Sequence, residues 1–173
     1  MEAIYIVMKD IGPAKATGAD GLLTLFYQKY WHVVVHDVGQ YCLSVLNGCN
    51  SLESISSTQI ILLPKIAHSN SLLQFHPISL CTVLYKIIAK SVANRFKLVL
   101  ENCSDKAQSA FVHGRLITDN MLLAYEILHE GLFALKLDMS KTYDCVEWNF
   151  LRAMMLKMGV VKWVDFYITV FHR

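Results

Sequence analysis

Residues 83–100 carry the pattern that most restricts what this chain can fold into. Leu84, Ile87, Ile88, Val92, Phe96 and Val99 recur at helical spacing over about five turns. A helix that long with one apolar stripe must bury the stripe, so a core has to be built around it. Lys86, Lys90 and Lys97 recur at i, i+4 and i+11, with Asn94 and Arg95 nearby. A basic stripe of this kind is ordinarily the solvated face of an amphipathic helix, and it can also track a phosphate backbone.

A second feature lies in KLDMSKTYDCV, residues 136–146. Residues 132–138 alternate, with Phe133, Leu135 and Leu137 on one side and Ala134, Lys136 and Asp138 on the other. That is a strand ending on a carboxylate, where a metal could be held. Asp144 and Glu147 then precede the apolar positions Trp148, Leu151, Met155 and Met158. The spacing predicts a capping box with Asp144 as the N-cap.

The rest of the chain reads as short elements. Residues 1–9 suit a short helix, and a glycine-containing loop, AKATGADG, follows Gly12-Pro13. A Gly-x-x-Gly beside a lysine can cradle phosphate, but a plain loop is the simpler reading. Residues 22–32 (Leu22, Leu25, Phe26, Tyr30) predict a buried helix, and Val38, Tyr41, Cys42, Val45 and Leu46 predict another with Asp37 as its N-cap. His32 and His36 have a spacing that can hold zinc on a helix, but no nearby ligand completes a set. Valines 33–35 speak against a helix there, so these are read as surface or turn histidines. Residues 58–63 form a β-rich run that Pro64 stops, delivering Lys65 into a loop. Gln108 to Arg115 reads as a loop or short strand with Gly114 at a turn, and Thr118 is placed to cap a helix running to His129 through Met121, Tyr125 and Leu128. The β-branched and aromatic segment 160–172 could fold back onto the strand that ends at Asp138.

Composition narrows the class. With 54% hydrophobic and 17% charged residues in 173, the chain suits a globular core. A mean hydropathy of +0.38 is high for a free-standing soluble domain and fits a piece of a larger protein. No run approaches the ~18 uninterrupted apolar residues of a transmembrane helix. The start MEAIYIVMKD lacks the basic region of a signal peptide. A net charge of +2 is too mild to argue for nucleic acid by itself. The five cysteines show no CxxC pair and read as reduced thiols. With no internal repeats, low-complexity tracts or linker, the chain reads as one unit.

The run KLDMSKTYDCVEW resembles the first palm motif of the reverse transcriptases of LINE-like, non-LTR retroelements, in the version common in plant genomes. GPAKATGADGL, LFYQKYW, IILLPKI, FHPISLCTVLYKIIAKSVANR and QSAFVHGRLITDN agree with that family in order, so the resemblance covers almost the whole chain. It implies an α+β, helix-rich, partial right-hand polymerase: residues 1–131 as the fingers region and residues 132–173 as the start of the palm. It implies that Asp138 is catalytic and bridges two Mg2+ ions, that Tyr143 lies under the sugar and excludes a 2′-hydroxyl, and that Lys65 and position 76 grip the triphosphate. Position 76, usually arginine in the family, is His76 here; Arg115 matches a block that lies close to template and nucleotide. Two prolines usual in the first loop are replaced by Thr17 and Ala19, the proline of the QSAFVHGR block by His113, and a basic loop before the catalytic strand is shortened. The implied partners are an RNA template and a DNA primer, with no membrane, and the implied location is intracellular, in the nucleus. The family's second palm motif, an aromatic residue followed by Ala-Asp-Asp, does not occur among these 173 residues. The expectation is a truncated reverse transcriptase domain, inactive alone and binding nucleic acid weakly and nonspecifically at most through Lys86, Lys90 and Lys97. The alternatives are a non-catalytic nucleic-acid-binding or interaction module, or a functionless relic.

Overall fold

The computed structural model describes residues 1–105, 108–109, 112, 114–130, 146–161 and 164–171. The strand expected at 132–138, and with it Asp138, Tyr143 and Asp144, lies outside the described residues. The described elements are helices α1 (Glu2–Lys9), α2 (Thr24–Lys29), α3 (Trp31–Leu46), α4 (Val83–Cys103), α5 (Ile117–His129), α6 (Trp148–Lys157) and α7 (Val164–Phe171), with strands β1 (Gln59–Pro64) and β2 (Phe75–Leu80). Backbone contacts group the chain into two compact units, Met1–Val92 and Ala93–Arg173. The fold is helix-rich with one small two-stranded sheet.

In the first unit most of the buried side chains come from helices, with Ile11 and Leu52 added from loops. Ile4, Val7 and Met8 of α1, Val38, Cys42, Val45 and Leu46 of α3, and Val83, Tyr85, Ile87, Ile88 and Val92 of α4 are all buried. The α3 set follows the predicted i, i+4, i+7, i+8 spacing, but the helix starts seven residues before Val38, at Trp31. Asp37 is therefore a mid-helix residue and Tyr30 the N-cap. The low helix propensity of Val33 to Val35, a few tenths of a kcal/mol each, is outweighed by what the extension gains, including a stack of Trp31 on Tyr5 at 5.5 Å. His32 and His36 lie on that helix and are exposed. The helix expected over 22–32 is only six residues long and turns its other side inward: Thr24 and Tyr27 are buried, while Leu22, Leu25, Phe26 and Tyr30 are exposed.

β1 and β2 form an antiparallel hairpin, with Gln59 opposite Leu80 and Pro64 opposite Phe75. A proline is tolerated because, among the described residues, each strand has a free edge. Residues 65–74 connect the strands; His68 adopts a left-handed backbone conformation (φ 58°). The Gln74 carboxamide oxygen accepts from the Asn70 and Ser71 amides at 2.9 and 3.3 Å, closing the loop over a 3-10 turn at Leu72–Gln74.

The second unit shows three corrections, two at helix starts and one of element type. α5 begins at Ile117 with Leu116 at the N-cap, so Thr118 lies inside the helix; the Asp119 carboxylate accepts from the Leu116 amide at 3.3 Å. α6 begins at Trp148 with Glu147 itself at the N-cap, which removes Glu147 from the third helical position and with it the box predicted with Asp144. The segment expected to fold back as a strand contains α7 instead. Val164, Tyr167 and Val170 are buried on one face at i, i+3 and i+6, and helical burial of that face overrides β-branched propensity. Asp165, in the first turn of α7, is paired with Arg152 of α6 at 2.8 Å.

Candidate nucleotide and nucleic-acid site

The hairpin brings two of the predicted site residues to one end. His76 stands opposite Leu63, and Lys65, two residues beyond Leu63, continues the ladder by donating its amide to the Gln74 carbonyl at 2.8 Å. Side chains two apart on an extended segment share a side. Lys65 and His76 are therefore diagonal neighbours on one face, at a spacing of roughly 7–8 Å. The Lys65 ammonium donates to the Leu73 carbonyl at 3.0 Å. That bond uses one of its three donors. Both residues are exposed, so an anion can reach them.

The basic stripe of α4 divides. Lys86 donates to the carbonyl of Ala16. Lys90 donates to the carbonyl of Asp10 at 2.8 Å and lies 3.7 Å from the Asp10 carboxylate. Both lysines thus hold the segment that follows α1. Lys97, further along the helix, is exposed. In the second unit the Arg115 guanidinium collects backbone carbonyls around the end of α4: Gln108 at 2.8 Å, Ser104 at 3.4 Å and Asp105. Cations suit the carbonyl end of a helix.

Several residues that organise this region were not singled out by sequence reasoning. Thr82 caps α4, accepting from the Tyr85 amide at 3.3 Å and donating to the Ile55 carbonyl at 3.2 Å. The signal was available, since a threonine immediately before an apolar helical run is a standard N-cap pattern. Gln28 donates to the carbonyls of Met8, Lys9 and Ile11 at 3.3, 3.4 and 2.9 Å, closing the end of α1 against α2. No local pattern announces that role. Among the described residues no three His, Cys, Asp or Glu side chains gather to hold a metal, and no helix is long and apolar enough to cross a membrane. Cys42, Cys49, Cys81 and Cys103 are free thiols. Burial pushes the Cys42 thiol up to about 12.

Residues 67–172 match the family Reverse transcriptase (RNA-dependent DNA polymerase). The chain is also 32% identical, over 143 residues, to the transposon TX1 uncharacterized 149 kDa protein of Xenopus laevis; the aligned part is 79% of this chain and 11% of that protein. The chain thus spans about a tenth of the curated relative it matches. Both findings uphold the resemblance to LINE-like, non-LTR elements, while its plant form rests on the quoted sequence blocks alone. The family match covers more than half of the chain and contains residues 67–74 of the hairpin loop, His76, all of α4 and the Asp138 run, though it begins just after Lys65, and on that ground the chain belongs to the reverse transcriptase (RNA-dependent DNA polymerase) family.

Proposed function

We propose that this chain forms the fingers and the first strand and helix of the palm of a right-hand polymerase, within a domain that copies an RNA template from a DNA primer. The observation that carries this reading is the hairpin: it sets Lys65 and His76 on one exposed face, suited to the triphosphate of an incoming nucleotide. A lysine is a strongly hydrated point charge that pairs readily with phosphate, whereas a histidine gives a weaker and pH-dependent contact than an arginine fork. Asp138 would be a carboxylate that helps hold the ions, and Tyr143 the gate against a 2′-hydroxyl. When bound, a Mg2+ pair would activate the primer hydroxyl and neutralise the triphosphate. Asp138 lies outside the described residues, and among those described no three His, Cys, Asp or Glu side chains gather to hold a metal.

Two measurements test the reading. The isolated chain should bind a Mg2+-free deoxynucleoside triphosphate, measured by equilibrium dialysis, and Lys65→Ala should remove most of that binding. Equal binding by wild type and Lys65→Ala, or none by wild type, rejects the triphosphate role. The same chain should extend no primer on poly(rA) with magnesium or manganese. Extension abolished by Asp138→Ala would show that the cage is complete.

The second reading, a non-catalytic nucleic-acid-binding module, draws on the exposed Lys97 alone among the three stripe lysines. It requires binding that is sequence-tolerant and falls with salt.

A further inference from the structure

We propose that Gly18, Thr82 and Lys86 form a clamp at the base of the β1–β2 hairpin that sets the direction in which it carries Lys65 and His76. They are positioning residues, touching neither triphosphate nor template. The consequence for triphosphate binding rests on the function proposed above; the clamp itself does not.

Three observations within the first unit carry the inference. First, the hairpin is fixed to the helical body at one end. β2 ends at Leu80 and α4 starts at Val83, so Cys81 and Thr82 are the whole connection. Thr82 caps α4 and at the same time holds the Ile55 carbonyl, on the segment leading into β1. The Thr58 hydroxyl meets the Cys81 sulfur at 3.7 Å, across the same base. Second, the loop after α1 lies against this connection with no room to spare. A β-carbon on Gly18 would come 2.4 Å from the Thr82 nitrogen and 2.6 Å from the Cys81 carbonyl carbon. Both are backbone atoms and cannot swing aside as a flexible side chain would. Third, Lys86, one turn into α4, holds the carbonyl of Ala16, two residues before Gly18, and Lys90 holds Asp10. The loop is thereby fastened to α4 at two points, both ahead of the close approach in the chain.

Among the described residues the rest of the hairpin has no comparable support. Every residue of β1, and His76 to Ser79 of β2, is exposed. Six residues of strand span roughly 20 Å, so a turn of about 10° at the base moves the Lys65 end by roughly 3 Å. Misplacement of that size is enough to remove a well-aligned contact. This gives a reason for glycine at position 18 and lysine at position 86 that a phosphate-cradling loop or a phosphate-tracking stripe does not.

The test compares Gly18→Ala, Lys86→Met and Lys86→Arg in the full 173-residue chain. Amide hydrogen exchange reads the hairpin independently of any ligand. Gly18→Ala and Lys86→Met should each speed exchange of the amides in residues 59–64 and 75–80 at least tenfold while leaving those of α3 unchanged. Lys86→Arg, which keeps a donor for the Ala16 carbonyl, should stay within threefold of wild type. If Gly18→Ala does not fold, Lys86→Met decides alone. Triphosphate affinity should fall at least tenfold in Lys86→Met. In a Lys65→Ala background Lys86→Met should add far less than it costs alone, because only the His76 contact is left for it to misplace. Unchanged hairpin exchange in Lys86→Met overturns the clamp, as does a full additional loss of affinity in the Lys65→Ala background. Faster hairpin exchange with no triphosphate binding by wild type upholds the clamp and rejects the triphosphate reading.

Discussion

Within the first unit, the hairpin and the helices beneath it are built in opposite ways. Met8, Cys42, Val45, Ile87 and Ile88 are essentially inaccessible, whereas Ile60 of β1 is 68% exposed and no residue of either strand is buried. The hairpin has the more concentrated apolar sequence, QIILLP, and yet buries none of it. A two-stranded hairpin is at best marginally stable alone. Its order must therefore come from its own ladder and from its base, while the stability of the unit comes from the helices. The residues proposed to meet a nucleotide sit on the element that contributes least to folding, so binding and stability should respond to different substitutions.

The largest test of that separation is a core truncation. Ile88→Ala removes a fully buried side chain from α4 and should lower unfolding stability by about 2–5 kcal/mol, read as a lower midpoint in urea. Ile60→Ser, on the exposed hairpin, should stay within about 0.5 kcal/mol of wild type. Equal losses would mean that the hairpin belongs to the core in solution and that the contrast is false.

Next in size is a gain of function on the hairpin. His76→Arg restores the charged fork that the family usually places there, and should tighten triphosphate binding several-fold with no change in the urea midpoint. Equal affinity in the two proteins would place His76 away from the ligand.

The division of the α4 lysines gives a smaller effect. Lys97→Gln should lower the magnitude of the salt slope of nucleic-acid binding by about 1. Lys86→Gln with Lys90→Gln should leave the slope nearly unchanged and instead free the segment around Asp10 and Ala16. A slope that flattens by about 2 in the double variant would return both lysines to the phosphate backbone.

Much of this was legible in the sequence where periodicity alone decides. α4 and the existence of a strand after Thr58 follow directly from apolar spacing and β-rich composition, but Pro64 does not stop that strand: it pairs with Phe75, and the Lys65 amide continues the ladder. α7 was legible in principle, since Val164, Tyr167 and Val170 have helical spacing, but β-branched composition pointed the other way and tertiary burial decided. The capping assignments at Asp37 and Thr118 failed because a good cap residue also tolerates a helix interior, where the neighbouring contacts set the boundary. What the sequence could not show is where the stripe lysines end. The carbonyls that hold Lys86 and Lys90 lie 70 and 80 residues earlier in the chain, and helical spacing carries no information about them. The clamp at Gly18 is hidden for the same reason, since a glycine in a loop does not reveal which backbone lies against it.

The smallest expected effect concerns Asp165, the acid whose distance from Asp138 would change if residues 160–172 were a strand. On α7 its carboxylate accepts from the Arg152 guanidinium at 2.8 Å, and that contact holds it below the usual carboxylate range. A carboxylate with a depressed folded pKa stabilises the fold above its unfolded pKa of roughly 4 and loses that contribution as pH falls through the lower folded value. The pair is exposed on both sides, and side-chain entropy and salt oppose it. Asp165→Asn should therefore leave the melting temperature at pH 7 unchanged within error, and any difference from wild type should vanish as pH falls through the lowered folded value. It should also leave unchanged any Mg2+ affinity the chain possesses, because Arg152 already neutralises the carboxylate. A loss of Mg2+ affinity in Asp165→Asn, measured by calorimetry, would mean that α7 yields its acid to a metal site, and the helical reading of the C-terminal segment would have to be replaced.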